Sequence, residues 1–295
     1  MDRDACLLVN PSAGGGRAAR VLPDVEAELR RLGIAFRTEQ TRSLEHADDL
    51  AREAATAGEA VVTLSGDGLV GRVVGVLCEF PDALLGVLPG GRGNDIVRVL
   101  GIPREPVPAC SVLTEGEVRD LDIGRVGDRS FIGIASLGFD SVANRLANEA
   151  PSWLGSQVYT YAALRALAGW KHATFTIEAG GESRSFRGWS VGAANSKAYG
   201  GGMFVAPDAE LDDGLLDVVG LGECSKRRFL LGILPKVFKG THTGEPEVSV
   251  QQADSVRISA DRPFTVYADG DPIGELPVTI RAVPRALKVL CPRVS

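Results

Sequence analysis

Three short glycine-rich stretches, each placed directly after a run of aliphatic residues, constrain this chain more than anything else in it. Ala5 to Val9 runs into Asn10-Pro11-Ser12-Ala13-Gly14-Gly15-Gly16, Ala60 to Leu64 into Ser65-Gly66-Asp67-Gly68, and Leu84 to Leu88 into Pro89-Gly90-Gly91-Arg92-Gly93-Asn94-Asp95. The intervening segments carry apolar residues at helical spacing. Val21, Leu22, Val25, Leu29 and Leu32 make one stripe, with Gly33 as C-cap and Pro23 expected in the first turn. Leu44, Ala47, Leu50, Ala51 and Ala54 make a second, capped by Ser43 and closed by Gly58. Val70, Val73, Val74 and Leu77 make a third, ended by Pro81, and Ile34 to Thr38 reads as a further strand. Strands alternating with helices predict a parallel α/β sheet. In such a sheet the loops that follow strands gather at the carboxyl edge, where ligands of doubly wound folds bind.

After about Leu121 the texture changes to turn-punctuated, β-rich segments: Phe131 to Ala135, Thr174 to Glu178, Val256 to Ser259, Phe264 to Tyr267 and Val278 to Arg281. Helical stretches interrupt them around Tyr159 to Trp170 and Lys226 to Lys239. The expected division is an α/β unit over 1–121 and a mainly antiparallel unit over 122–295, with the strand near Leu287 to Leu290 able to return to the first. A chain of 295 residues is long enough for both.

Composition excludes several classes. Thirty-six glycines with no G-X-Y period rule out collagen. A net charge of −6 argues against a nucleic-acid-coating protein. Five isolated cysteines without a C-x-x-C pair read as a reduced intracellular chain, and three scattered histidines argue against zinc. The N-terminus lacks the pattern of a signal peptide, and no uncharged apolar run approaches a membrane span. The expectation is a cytoplasmic protein whose membrane contact, if any, is peripheral.

The loops suggest phosphate chemistry. Asn10 to Gly16 leaves a strand and enters a helix, so backbone N–H groups and the helix dipole can hold an anion. It is neither a Walker A sequence nor a clean G-x-G-x-x-G fingerprint, and an ordinary turn satisfies it too. In Ser65-Gly66-Asp67-Gly68 a bare carboxylate beside phosphate would repel it, so Asp67 makes sense as a partner of Mg²⁺ or its waters, against the plain alternative of an Asp-Gly turn.

The set VNPSAGGG, SGDGLVGRVV, LPGGRGNDIVRVLGIP, GGGMFVAPDAELDDGLLDV and DGDP resembles, in order and over nearly the whole chain, the lipid kinases of the bacterial diacylglycerol kinase family. These share a catalytic domain with eukaryotic diacylglycerol and sphingosine kinases. The resemblance implies an N-terminal domain related to phosphofructokinase and NAD kinase folds and a C-terminal β-sandwich. ATP would bind in the cleft between them, and a lipid hydroxyl at a membrane surface would be phosphorylated. It also implies residue roles. Asn10, Pro11, Ser12, Ala13, Gly14, Thr41, Ser65, Gly66, Asp67, Gly68 and Leu69 fall on nucleotide-binding positions, with Arg92 in place of a Thr. Asp213 falls on a structural Mg²⁺ aspartate, assisted by carbonyls of Glu210 and Leu215, although an Asp-Gly hairpin turn is equally permitted there. Asp271 takes the place of a Glu that serves as general base. A homodimer is left open.

Four departures from the family pattern matter. Asp271 is one methylene shorter than Glu, Leu69 replaces a Thr, and Gly71-Arg72 replaces Asn-Glu. A cation at a helix N-terminus costs about 0.3–1 kcal/mol without an anionic partner, and ATP phosphates are one candidate partner for Arg72 or Arg92. Diacylglycerol is the default acceptor, then sphingoid bases or other glycerolipids. An NAD-kinase-like enzyme with a soluble acceptor and a non-catalytic nucleotide- or lipid-binding protein are the rivals. Lys226 to Lys239, with five basic residues, fits a packed helix with solvated lysines or an interfacial one. The aromatics Trp153, Tyr159, Tyr161 and Trp170 fit a core better than a lipid pocket.

Overall fold

The computed structural model describes residues 3–150 and 158–293, with the side chains of 159 and 160 left aside. Trp153 and the Tyr159 side chain therefore lie outside the described residues. In the first domain β1 (Ala5–Val9), β2 (Phe36–Gln40), β3 (Ala60–Ser65) and β4 (Leu84–Pro89) pair in parallel in the order β4-β3-β1-β2. Helices α1 (Ala13–Arg31), α2 (Leu44–Thr56) and α3 (Asp67–Leu77) are the crossovers. Strands β1, β3 and β4 are buried along their whole length, as continuous aliphatic runs in a covered parallel sheet require.

The helix ends follow their caps. Ser43 accepts a hydrogen bond from the His46 amide at 3.1 Å, and Gly33, at φ +71°, closes α1 with its N–H on the Arg30 carbonyl. The same closure uses the Ile34 amide, which bonds Leu29 O. Strand β2 therefore starts two residues later than the sequence suggests, at Phe36. Pro23 is not in the first turn of regular helix as expected. Gly14, Gly15 and Gly16 are left-handed, so regular helix begins near Arg17 and Pro23 lies inside it.

Three short helices, α4 (Asp95–Val99), α5 (Pro106–Ala109) and α6 (Val112–Glu115), lead into β5 (Glu117–Val126). The second domain is largely antiparallel: β6 (Arg129–Phe131), β7 (Ile134–Gly138), β8 (Ala173–Ala179), β9 (Glu182–Ala194), β10 (Leu216–Gly222), β11 (Val248–Ala253), β12 (Ser255–Ala260), β13 (Thr265–Ala268), β14 (Asp271–Glu275) and β15 (Val278–Cys291). The segment expected as one strand, Phe131 to Ala135, splits between β6 and β7. Helices α7 (Phe139–Asn148) and α8 (Val158–Gly169) lie against this domain. Its core is aromatic, with Trp189 stacked on Phe229 at 4.3 Å and Phe139 edge-on to Trp170, so Trp170 is a packing residue.

One strand belongs to both units. The first part of β15 pairs antiparallel with β12 over Val278–Arg281, and its last part pairs in parallel with β4 through Lys288 and Val289. Its register against β5 shifts between Val283 and Leu287, where Arg285 takes φ +52°. The sheet thus runs unbroken from one domain into the other, and position 121/122 falls inside β5.

The segment after β10 comprises α9 (Lys226–Arg228), a π-helical turn (Phe229–Ile233) and α10 (Leu234–Val237). Phe229 and Ile233 are buried, Arg228 pairs with Glu245 and Glu247, and Lys236 pairs with Glu245. That is the packed-helix arrangement, although Leu231 and Phe238 remain 72% and 51% exposed.

Candidate active site

The three glycine loops meet at the carboxyl edge of the parallel sheet. Gly90 and Gly91 donate to the Ser65 carbonyl at 2.7 and 3.0 Å. A Cβ on Gly91 would stand 2.4 Å from Gly66 Cα, and one on Gly14 would stand 2.6 Å from Gly90 O. No side chain fits at those contacts, so glycine is what lets the loops form one continuous rim. The first loop is braced by Asn10, whose Oδ1 accepts from the Ser12 amide and hydroxyl at 3.1 and 2.8 Å. Thr41 closes the rim at the end of β2, its amide bonding Val9 O at 2.9 Å. The sequence-named residues Asn10, Pro11, Ser12, Ala13, Gly14, Thr41, Ser65, Gly66, Asp67 and Gly68 are thus brought together.

Two of the named positions behave differently from the others. Leu69 is buried in the first core, so its side chain faces away from the rim and only its backbone can serve a nucleotide. Arg92 is exposed, with a guanidinium nitrogen 3.5 Å from where a Cβ of Gly15 would be, so it lies over the first loop. Arg72 does not wait for a phosphate. Its guanidinium forms a two-pronged pair with Asp48 of α2, and because α3 begins at Asp67 it stands in mid-helix, past the first turn where a cation is disfavoured.

Three carboxylates influence one another beside the rim, Asp67 and Asp95 from the first domain and Asp269 from the second, and Asp271 follows Asp269 on the crevice side. An atom at the missing Cβ of Gly93 would stand 3.0 Å from Asp67 Oδ2 and 3.6 Å from Asp95 Oδ2, so the two carboxylates border one small space. Asp67 Oδ1 accepts from the Ile96 amide at 3.2 Å. Burial raises the Asp67 pKa, and the Asp95 charge raises it further. Asp95 is 6% exposed and holds Arg98 at 2.9 Å and the Gly201 amide at 2.7 Å. From the second domain come Asp269 and Asp271, on the two-residue turn between β13 and β14. Asp269 at φ +51° and Gly270 at φ +94° make the left-handed pair that tight hairpins use. Asp269 accepts from the Ile132 and Gly133 amides, both at 3.0 Å. Burial lifts its pKa to about 6, with Asp67 and Asp271 adding to the rise against those two amides.

Asp271 opens β14 and, with Asp269, Gly71, Arg72, Asp48 and Arg129, borders a crevice of about 190 Å³ between α3 and the second domain. A Cβ on Gly71 would lie 3.1 Å from Asp269 Cβ. Glycine in place of the family's Asn therefore lets the turn seat close to α3, on the side where Asp271 is one methylene short.

The Asp213 turn lies elsewhere, at the kink of β15. Asp122, buried at the centre, accepts from the Gly214 amide at 2.6 Å and from the Arg285 amide at 2.7 Å. Asp213 accepts from the Leu215 amide at 2.9 Å and is exposed, as is Glu210. Burial raises the Asp217 pKa, and the negative charges of Asp213, Asp208 and Glu210 raise it further, a field that a cation would relieve. No three His, Cys, Asp or Glu side chains form a ligand group among the described residues. An ion here would take one carboxylate and mostly carbonyl oxygens, which suits a hard cation.

Sequence reasoning missed Asp95, Asp122 and Asp269. Asp95 and Asp269 stand inside quoted motifs, next to Asn94 and Gly270, but nothing in one sequence shows that they face Asp67.

A glycine-loop α/β domain joined to a β-domain that brings carboxylates beside its loops fits a kinase of two domains, and its relatives name the family. Residues 4–126 match the diacylglycerol kinase catalytic domain, and residues 133–291 match the YegS C-terminal NAD kinase beta sandwich-like domain. A diacylglycerol kinase of Mycobacterium tuberculosis is 33% identical, covering 97% of this chain and 94% of that protein. One from Staphylococcus aureus is 29% identical over 99% and 93%. Two crystal structures from Bacillus anthracis str. Sterne share the fold. One has a TM-score of 0.83 at 21% identity, and another, described as a diacylglycerol kinase, has 0.75 at 19%, each covering 98% of this chain and 97% of the other. The chain belongs to the diacylglycerol kinase family.

Proposed function

We infer that this chain transfers the γ-phosphate of ATP, with Mg²⁺, to the hydroxyl of a lipid, diacylglycerol first among candidates. The observation that carries this reading is that Asp67, at the rim built by the glycine loops, is coupled across the domain boundary to Asp269, on the turn that also carries Asp271. The rim amides and Arg92 hold the polyphosphate, since guanidinium pairs with phosphate oxygens in two-pronged fashion. Asp67 suits a divalent cation or its waters, because it is held where burial and the neighbouring Asp95 charge disfavour a bare carboxylate. When bound, the ion neutralises charge on the phosphate oxygens. Asp271 accepts the proton as the acceptor oxygen bonds to phosphorus and the bond to the ADP oxygen breaks. Asp269, fixed by two amides, holds the turn that presents Asp271. At the kink of β15, Asp213 with the carbonyls of Glu210 and Leu215 suits a structural ion.

The acceptor is reached at a bilayer surface. No described helix is long and apolar enough to cross a membrane, and the exposed Leu231 and Phe238 are suited to peripheral contact. Purified protein incubated with labelled ATP, Mg²⁺ and mixed micelles of diacylglycerol, sphingoid base or other glycerolipids, with NAD in a parallel tube, tests the reading. Label in diacylglycerol is expected. Label in NAD alone, or nucleotide binding with no transfer, would overturn it.

A further inference from the structure

Ile132 and Gly133 form a two-residue link between β6 and β7 that belongs to neither strand. Each of their amides donates to one carboxylate oxygen of Asp269 at 3.0 Å. A Cβ on Gly133 would stand 2.2 Å from Asp269 Oδ1, so only glycine lets the link come this close. The link is buried, and buried backbone groups need partners on both sides. With its amides given to Asp269, its own position is set by whatever holds its carbonyls.

That hold centres on one residue. Asn195 stands just past the end of β9 and is wholly buried. Its side-chain Nδ2 donates to Ile132 O at 3.0 Å and, with its second hydrogen, to Asp122 O of β5 at 3.0 Å. Its backbone amide donates to Gly133 O at 3.0 Å, and the Ser196 amide shares that carbonyl at 3.2 Å. All four backbone polar groups of the link are thus partnered, the amides by Asp269 and the carbonyls by Asn195 and Ser196. Two carbonyls on one nitrogen demand an NH2 group, which aspartate of the same size lacks. The side-chain Oδ1 is left buried with no protein donor among the described residues. A buried acceptor without a donor is unfavourable, yet turning the amide over would face two carbonyls with an oxygen, so the two donor bonds decide its orientation.

We propose that Asn195 is a positioning residue for phosphoryl transfer: it braces the Ile132–Gly133 link from behind, the link's two amides hold Asp269, and Asp269 seats the turn from which Asp271 takes the acceptor's proton. This rests on the reading of Asp271 as proton acceptor. Asn195 lies behind the link, and none of its bonds reaches the glycine-loop rim. Its loss therefore falls on the turnover rate and leaves nucleotide affinity alone.

The test compares the parent with Asn195→Ala, the milder Asn195→Ser, and Ile177→Ala, a truncation in the core of the second domain on β8 that removes none of these bonds. In hydrogen exchange followed by NMR, the Ile132 and Gly133 amides of Asn195→Ala should accelerate by at least about tenfold more than those of β8 and β12, which report the loss of global stability. With diacylglycerol as acceptor, kcat should fall about tenfold in Asn195→Ala and about threefold in Asn195→Ser, with KM for MgATP within about twofold of the parent in both. Ile177→Ala, assayed below its melting transition, should lose stability and keep kcat within about twofold of the parent. If Asn195→Ala does not fold, Asn195→Ser carries the same comparisons. Equal acceleration of the link and the reference amides would overturn the proposal. So would an unchanged kcat in the Asn195 variants, or an equal fall in Ile177→Ala. If the parent phosphorylates no lipid at all, the functional reading fails, while the exchange data still decide whether Asn195 holds the link.

Discussion

Replacing Gly71 by Ala separates stability from activity in a way that the geometry makes quantitative. Gly71 lies within α3, where a glycine-to-alanine change at an ordinary position gains about 1 kcal/mol of helix stability. The added methyl would lie 3.1 Å from Asp269 Cβ and 3.2 Å from its Oδ2. A few tenths of an ångström must be found there. Asp269 cannot give easily, because two amides at 3.0 Å hold its carboxylate. The whole β13–β14 turn must lean away from α3, and Asp271 moves with it. Misplacement by 1 Å costs up to about a hundredfold in rate, so a shift of a few tenths should lower kcat by about three- to tenfold. Strain and propensity oppose each other, leaving the melting temperature within about 4 °C of the parent. Asp271→Glu in the Gly71→Ala background should recover most of the lost rate, because the longer side chain spans the widened gap. Steady-state kinetics on diacylglycerol micelles with thermal melts of all four proteins complete the cycle. Full parental kcat in Gly71→Ala would refute the argument. So would a double variant no faster than the single.

Asp271→Asn should abolish turnover and leave ADP affinity within a few-fold, as read by calorimetry; turnover equal to the parent would remove Asp271 from the chemistry. Asp67→Ala should raise the Mg²⁺ concentration needed for half-maximal rate by at least about tenfold, and an unchanged magnesium curve would contradict its role. Arg92→Ala should raise KM for ATP about fivefold to tenfold, reflecting loss of a charge-assisted contact, with no change in melting temperature. Asp140 has its pKa lifted from 3.8 to about 6 by burial, against bonds from Ser190 and Tyr199. Between these values the unfolded chain has released a proton that the folded one keeps, so folding stability falls as pH rises through the window. The expected loss is about 3 kcal/mol. Asp140→Asn removes it, so denaturant titrations should show the stability difference between variant and parent moving by that order from pH 4 to pH 6.5, in the variant's favour.

The first domain was largely legible in the sequence because its signals are local. Buried parallel strands are continuous aliphatic runs, Ser43 and Gly33 announce helix ends, and glycines after strands mark the carboxyl edge. Where two local rules compete, the reading slips. Three left-handed glycines delay α1 and carry Pro23 inside it, and the closure at Gly33 takes Ile34 out of β2. The site was legible as far as its loops. Its pairings across domains were not: Asp95 with Gly201 lies 106 residues apart and Asp269 with Gly133 lies 136 apart. The partner of Arg72 was hidden for the same reason. Asp48 sits on the neighbouring helix, and nothing in one chain's order of residues states which helix faces turn toward each other.

Strand β15 ends as a rib of the first domain's parallel sheet after beginning as a rib of the second domain's. Any motion of one domain against the other would have to flex a single continuous filament, whose irregular point lies beside Arg285, whose amide is tethered to Asp122 and through it to the Asp213 turn. The cation proposed for that turn would stiffen the bend from a distance. Nor can the lobes be made as separate pieces: cutting the gene between them would strip β4 of its neighbour and leave a bare, sticky edge on each half.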